Sequence, residues 1–257
     1  MRISIVIPAH NEEQRMQATL ESYASYFSNI GDEYEVVVVL NATKDKTEEI
    51  VKSMQKKYPM IRYLNLKKGG KGYAVIEGCK DALERKAELI GFVDADMATP
   101  PQAFHDLIRH CGKADAVIAS RWMKQSIVTT KQTLLRRFLS RGFNMLVRGL
   151  LFLPFHDTQC GAKIFTAEAL KTIIPKIGLT NWAFDVELLY QLKRKGFQIK
   201  EIPTIWNDKK DSKLNIWKVP LEMFLGIARI RLINSPLAFI VRAYDSLPES
   251  LKLHHRL

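Results

Sequence analysis

The chain has 257 residues, 47% of them hydrophobic and 26% charged, a composition ordinary for a folded domain and a length that buries a substantial core. Its net charge of +12 is one-sided: residues 1–120 hold 16 Lys/Arg against 17 Asp/Glu, whereas residues 121–257 hold 23 against 10. A basic half points to an anionic partner: nucleic acid, a phosphorylated substrate or acidic lipid. Cys79, Cys111 and Cys160 are scattered and odd in number, which speaks for a reducing compartment and against a zinc site or disulfide framework. No run of about 18 apolar residues is present, so no bilayer-crossing helix is expected and any membrane work is done from the surface.

Taken in chain order, the first half alternates strand and helix signals. ISIVIPA reads as a strand, beginning too early to leave room for a signal peptide. NEEQRMQATLESYASYF has helical apolar spacing at Met16, Leu20, Tyr23 and Phe27. EVVVVLN is a continuous apolar run of the kind buried on both faces in a parallel sheet. KTEEIVKSMQKKY reads as a helix, IRYLNL as a strand, GYAVIEGCKDALERKA as a helix and LIGFVDAD as a strand. A helix follows from Pro101, then the strand DAVIASR. This repetition implies an α/β fold with a doubly wound, mostly parallel sheet. Ligands of such sheets bind beyond the carboxyl ends of the strands. Polar residues recur there: His10-Asn11-Glu12, Asn41, Lys67 to Gly72, Asp94 with Asp96, and Ser120-Arg121. Five clusters in register favour a nucleotide or phosphate site.

From Arg121 to His156 there is no acidic residue. Leu134, Leu135, Phe138, Leu139, Leu146 and Leu150 recur at helical spacing, with Arg137, Arg141 and Arg148 opposite them. One reading is a core helix with a solvated face. The other, which the missing acids favour, is a basic amphipathic helix in an anionic interface. The region from WKVPLEMFL onward repeats the mixture, and Pro236 and Pro248 divide it into short helices. The expected organisation is a catalytic domain over residues 1–213 and a helical extension over 214–257 at the membrane interface.

Asp94-Ala95-Asp96 at a strand end suits a hard divalent cation, Mg²⁺ or Mn²⁺, shared with substrate phosphates. KKGGKGY lacks the spacing of a Walker loop, and reads either as a plain loop or as a device bringing Lys71 and backbone N–H groups to a phosphate. Asp157, Asp185 and Glu187 are acids in apolar or basic surroundings. Helix N-capping is the alternative role for Asp185 or Glu187. Cys160 reads as a packing residue.

VIPAHNEE, GGKGYAVIEG, DADMAT, ASR, DTQCGAKIF, NWAFDVELLY and the late DSKL resemble the ordered motifs of family 2 glycosyltransferases, over roughly residues 2–214. The likeness is greatest to the dolichyl-phosphate glucosyltransferase branch, with dolichyl-phosphate mannose synthases more distant. It implies a GT-A fold, a nucleotide-sugar donor, a divalent cation and a polyprenyl-phosphate acceptor at a membrane. Carried onto this chain, it places Pro8, His10 and Glu12 beside the base and ribose. Lys71 would approach the donor, and Asp94-Ala95-Asp96 would bind ribose and metal-diphosphate. Arg121 and Lys213 would meet phosphates, and Asp157 and Gln159 would face the sugar or acceptor. Three departures stand out. His10 replaces the family's usual Tyr, Asn41 stands where an acid accepts from the base, and Ala98 occupies the place of a metal-binding Gln in mannose synthases.

The resemblance therefore implies an inverting enzyme, peripheral on the cytoplasmic face of a membrane, that moves a hexose, glucose from UDP-glucose, onto a polyprenyl (dolichyl-type) phosphate. Asp157 is the expected orienting residue in catalysis, with Asp185 second. GDP-mannose and UDP-N-acetylhexosamine are rival donors on the same scaffold. A nucleic-acid module is the rival from another class, but it needs stacking aromatics among the basic residues, and this stretch carries leucines instead. No nucleic-acid partner is expected.

Overall fold

The computed structural model describes residues 1–129, 134–178, 183–207 and 218–246. Its first half alternates β1 (Arg2–Ala9), α1 (Met16–Phe27), β2 (Glu33–Asn41), α2 (Thr47–Lys57), β3 (Ile61–Leu66), α3 (Lys71–Glu84), β4 (Leu89–Val93), α4 (Pro101–His110) and β5 (Ala116–Ser120). There follow β6 (Ile127–Val128), α5 (Leu134–Leu151), β7 (Ala162–Thr166), α6 (Ala167–Ile173), α7 (Phe184–Arg194), β8 (Ile199–Pro203), β9 (Ile205–Trp206), α8 (Lys218–Ile233) and α9 (Ala238–Asp245).

Seven strands form one sheet in the order β3-β2-β1-β4-β7-β5-β8, and β6 pairs with β9 beside it. Every pair in the large sheet is parallel except those of β7, which runs antiparallel to β4 and β5. This strand is the AKIFT segment, which the sequence reading treated only as part of a motif. A lysine at its second position hides the strand signal, yet Lys163 is fully buried.

The EVVVVLN run is buried on both faces, as a continuous apolar strand requires. Val37 and Val39 join the core shared with α3, α6 and α7, while Val36, Val38 and Leu40 join the core shared with α1, α2 and α4. Met16, Leu20, Tyr23 and Phe27 are all buried on the inner face of α1. That helix starts at Met16 and not at Asn11, because the preceding residues are fastened elsewhere. Asn11 takes φ +53°, its Oδ1 accepts the Lys44 N–H at 2.9 Å, and the Glu12 N–H donates to Thr47 Oγ1 at 2.8 Å.

Helix α5 buries Phe143, Val147 and Leu151, whereas Leu146 and Leu150 are exposed together with Met145 and Phe152, so of the two readings the core-facing one does not hold for these leucines. The side chains of Leu134, Leu135, Arg137, Phe138 and Leu139 lie outside the described residues. Helix α8 packs against α5, α7 and α9, completing a helical layer over one side of the sheet. Phe224 and Leu225 on α8, Leu237 before α9, and Phe239 and Ile240 on α9 are exposed in the same layer.

Candidate active site

The loops after β1, β2 and β4 meet at the carboxyl edge of the sheet. Each contains a non-glycine residue in left-handed backbone: Asn11, Ala42 (φ +51°) and Met97 (φ +59°). Such conformations cost about 1–3 kcal/mol each and persist where surrounding contacts enforce them. The contacts here are explicit. Thr19 Oγ1 of α1 donates to the Ala95 carbonyl at 2.7 Å, Tyr23 Oη to the Thr99 carbonyl at 2.8 Å, and the Asn207 N–H to the Ala98 carbonyl at 2.8 Å. Asp96 Oδ1 accepts the Ala98 N–H at 2.9 Å, closing the turn.

Asp94 follows the last residue of β4, and its Oδ1 accepts from Lys71 Nζ at 2.6 Å. Lys71 is the first residue of α3, whose preceding Gly70 has φ +134° and whose N-terminus has no side-chain cap. The first-turn N–H groups and the positive end of that helix are therefore directed at the acid pair. Burial alone would depress the Lys71 ammonium, but Asp94, Asp185 and Asp96 outweigh it and hold its pKa above the ordinary value. Asp96 is pushed up, first by burial and then by Asp94. Glu12 is raised by burial, although Arg15 binds its Oε2 at 2.6 Å, and Asp96 and Asp94 add to the rise. Two carboxylates crowded one residue apart at a strand end are a fitting place for a divalent cation. Among the described residues no third His, Cys, Asp or Glu joins them in a metal cluster.

Asp94 is held from behind by Gly161. A Cβ at that position would lie 1.9 Å from Asp94 Oδ2, so only glycine permits the approach. The adjoining Cys160 carbonyl accepts from Lys163 Nζ at 2.6 Å, and the same ammonium binds Asp185 Oδ1 at 2.6 Å. Asp185 lies in the first turn of α7, so this buried ion pair ties β7 to α7. Phe184, beside it, packs on Gly72, where a Cβ would meet the ring at 2.8 Å.

A second clamp lies after β5. Asp157 Oδ2 accepts the Arg121 N–H at 2.9 Å and its Nε–H at 2.7 Å, while Oδ1 accepts from Nη2 at 2.9 Å. Burial would raise the Asp157 carboxyl, but Arg121 overrides it and holds the pKa below the usual range. The Arg121 guanidinium lies over the Trp206 ring at 5.0 Å, and Arg141 of α5 over Trp122 at 5.2 Å. The turn bearing Asp157 is pinned by Glu201 of β8, which accepts the His156 and Asp157 N–H groups, and by Asn144 of α5, whose Nδ2 donates to the Phe155 and His156 carbonyls.

The residues expected at the site thus fall into groups. His10, Asn41, Lys71, Asp94 and Asp96 line neighbouring strand ends, with Pro8 half-buried in β1 and Glu12 on the next turn. Asn41 is buried and its Oδ1 has no hydrogen-bond partner, while its backbone carbonyl accepts from His10 Nδ1 at 2.6 Å. Ala95 turns its side chain into the core and faces the turn only with its backbone. Asp157 is wholly engaged with Arg121, and Gln159 is half-buried on the same turn. Lys213 lies outside the described residues. Sequence reasoning missed Gly161, Lys163, Asn144 and Glu201. Lys163 alone gave a signal, as an isolated cation inside an apolar pentapeptide. Cys160 is a packing residue as expected, its thiol pushed up to about 12 by burial and Asp157.

Among the described residues the cleft offers an acid pair, a lysine and an uncapped helix N-terminus, and no activated side-chain nucleophile. This chemistry suits an enzyme that handles a diphosphate-activated substrate by direct transfer. Residues 4–174 match the family model "Glycosyl transferase family 2", and the chain belongs to that family. It is 36% identical over 225 residues to dolichyl-phosphate beta-glucosyltransferase ALG5C of Trichomonas vaginalis, covering 83% of this chain and 66% of that one. It is 33% identical to the dolichyl-phosphate beta-glucosyltransferase of Dictyostelium discoideum (89% of this chain, 73% of that one). The human dolichyl-phosphate beta-glucosyltransferase is 31% identical (90% and 75%). The fold is similar to that of Mycobacterium tuberculosis glucosyl-3-phosphoglycerate synthase, with a TM-score of 0.66 at 16% identity, over 90% of this chain and 79% of that one. A structure of the same synthase contains Mn²⁺, UDP and glucosyl-3-phosphoglycerate. The architecture is therefore the expected GT-A fold.

Proposed function

We propose that this chain transfers glucose from UDP-glucose to a polyprenyl phosphate, working from the surface of a membrane. The observation that carries the reading is the carboxyl edge of the sheet, where the Asp94–Lys71 pair, Asp96 and the unpartnered Asn41 Oδ1 converge. A uracil N3–H supplies the donor that Asn41 lacks, at a place where a buried unpaired acceptor costs about 1–3 kcal/mol. The relatives' names support glucose and dolichyl phosphate as substrates of those proteins.

Asp94 and Asp96 would hold Mg²⁺ or Mn²⁺, and the chemistry supplied by such a cation is charge neutralisation on the leaving diphosphate. The chain's own groups do the rest. Lys71 and the α3 N-terminus bind phosphate oxygens. Asp157 acts as a positioning residue, fixing the Arg121 guanidinium over Trp206 so that its positive charge is held toward an acceptor phosphate. A phosphate monoester has a second pKa of about 6, so near neutral pH it is already mostly ionised. A strong general base is then unnecessary, and attack on the anomeric carbon with inversion depends on orientation and charge stabilisation.

The membrane part of the reading rests on the helical layer. Met145, Phe152 and Phe239 are 72%, 70% and 64% exposed, and Arg148 and Arg231 lie among them, Arg231 over the Phe152 ring at 5.6 Å. Large apolar side chains interspersed with arginines suit an anionic lipid interface. No helix of the described residues is long and apolar enough to cross a membrane.

The test is a product assay with Mn²⁺, polyprenyl phosphate in detergent and a panel of nucleotide sugars. A lipid-linked glucose formed from UDP-glucose is expected. Preference for GDP-mannose in direct competition, or no lipid product from any donor, overturns the proposal.

A further inference from the structure

Away from the cleft, a cavity of about 330 Å³ lies between the length of α7 and the end of α8. Lys176, Arg194 and Lys195 line it, with Gln191 and Glu187 deeper in and Asn234 on the α8 side. The site is separate from the catalytic cleft. Asp185 marks the cleft end of α7, Lys195 caps its other end, and a helix of this length spans about 16 Å at 1.5 Å per residue.

The charge arrangement is unusual for a structural surface. Cations in the last turn of α7 complement the helix dipole, which accounts for Lys193 and Arg194. It does not account for Lys176, which arrives from another element and faces Lys195. The ammonium of Lys176 is depressed chiefly by Lys195, with Arg194 adding to it. Neither lysine makes an ion pair among the described residues. The Arg194 guanidinium is aimed by Asn234, whose Oδ1 accepts from its Nη1, and by the Tyr190 ring, 5.9 Å away. Among the described lining residues the one acid, Glu187, is buried at the inner end, where its Oε1 accepts the Gly178 N–H at 3.0 Å. Three converging cations that repel one another are stabilised by an oxyanion placed between them, and the volume falls within the range of small-ligand sites.

We propose that this cavity is a second binding site, taking the phosphate group of a phosphate ester on Lys176, Arg194 and Lys195. Two sources offer that chemistry. One is the head group of an anionic phospholipid, reached through the turn beyond Asn234, where Leu237 and Phe239 are exposed. The other is a soluble phosphate ester. The site does not depend on the reading of the catalytic cleft, since none of its residues belongs to that cleft.

The experiment measures amine labelling of the full chain by mass spectrometry, with Lys113, exposed on the loop before β5, as the internal reference. The probes are glycerol 3-phosphate, and vesicles of phosphatidylcholine with or without phosphatidic acid, all against sodium chloride at matched ionic strength. An oxyanion that raises a lysine pKa by one unit lowers its free-amine fraction about tenfold. Labelling of Lys176 and Lys195 should fall by that order while Lys113 is unchanged. Protection by glycerol 3-phosphate supports the soluble source. Protection only by vesicles containing phosphatidic acid supports the lipid source. In Lys195→Gln, protection of Lys176, measured against that variant's own unliganded rate, should be lost, and Lys195→Arg should retain it. No protection by either probe, equal protection by sodium chloride, or full protection in Lys195→Gln overturns the proposal.

Discussion

Replacing Lys163 by Met isolates the buried ion pair behind the acid pair. The parent ammonium has no solvent exposure and is shared between Asp185 Oδ1 and the Cys160 carbonyl, each at 2.6 Å. Methionine fills comparable space but leaves a nearly buried carboxylate without its cation and a carbonyl without its donor. Breaking a buried pair from one side costs about 3–5 kcal/mol. For a chain of this size, about 2–4 °C in Tm accompanies each kcal/mol, so a fall of roughly 6–20 °C is expected. Lys163→Met/Asp185→Leu removes both charges and should recover most of that loss, because a matched apolar pair is often as stable as the ion pair it replaces. Urea melts of the parent, both single variants and the double variant then give a coupling energy. Turnover should stay low in the double variant although stability returns, because Cys160 and Gly161 no longer brace Asp94. A single variant within about 1 kcal/mol of the parent, or an additive cycle, refutes the argument.

Asp96→Asn should abolish metal-dependent transfer with little change in Tm, and Gly161→Ala should lower turnover by displacing Asp94; retention of most activity in either variant removes that residue's role. Asn41→Asp should keep UDP-sugar use and admit GDP-sugars, whose paired N1–H and 2-amino donors suit a carboxylate, with a change of about 1 kcal/mol read as several-fold in kcat/KM. Phe239→Ser/Ile240→Ser alters only exposed residues, so Tm should hold while sedimentation with anionic vesicles falls. Equal vesicle binding would remove this face from the interface. The Asp157 carboxyl is depressed by Arg121, so its contribution to stability is complete above the ordinary Asp value of about 3.9 and is lost as pH falls through its lower folded value. Stability of the parent should therefore drop in acid more steeply than that of Asp157→Asn, as measured by urea melts at a series of pH values.

The alternating strands and helices of the first half were legible because their signals are local. EVVVVLN is apolar on both faces, and Met16, Leu20, Tyr23 and Phe27 recur at a helical period, so periodicity alone reports which sides are covered. The motif residues at the strand ends were legible for a related reason: a doubly wound sheet brings consecutive strand ends together, so sequence order predicts spatial neighbours. Three features depended on distant partners and had no local signature. β7 reads poorly as a strand because Lys163 interrupts it, and only Asp185, 22 residues later, makes that lysine a core residue. Gly161 is an ordinary glycine until Asp94 is seen against it. Asp157 was legible as an unusual acid, yet its role was decided by Arg121, 36 residues earlier, which takes both carboxylate oxygens. On α5, the repeat of leucines left open whether that stripe faces the core or an interface; Leu146 and Leu150 are exposed, and the contact with α8 decides that Phe143, Val147 and Leu151 form the buried side. Periodicity shows that a helix is amphipathic; the charges and surfaces packed against it from elsewhere in the chain decide what each face does.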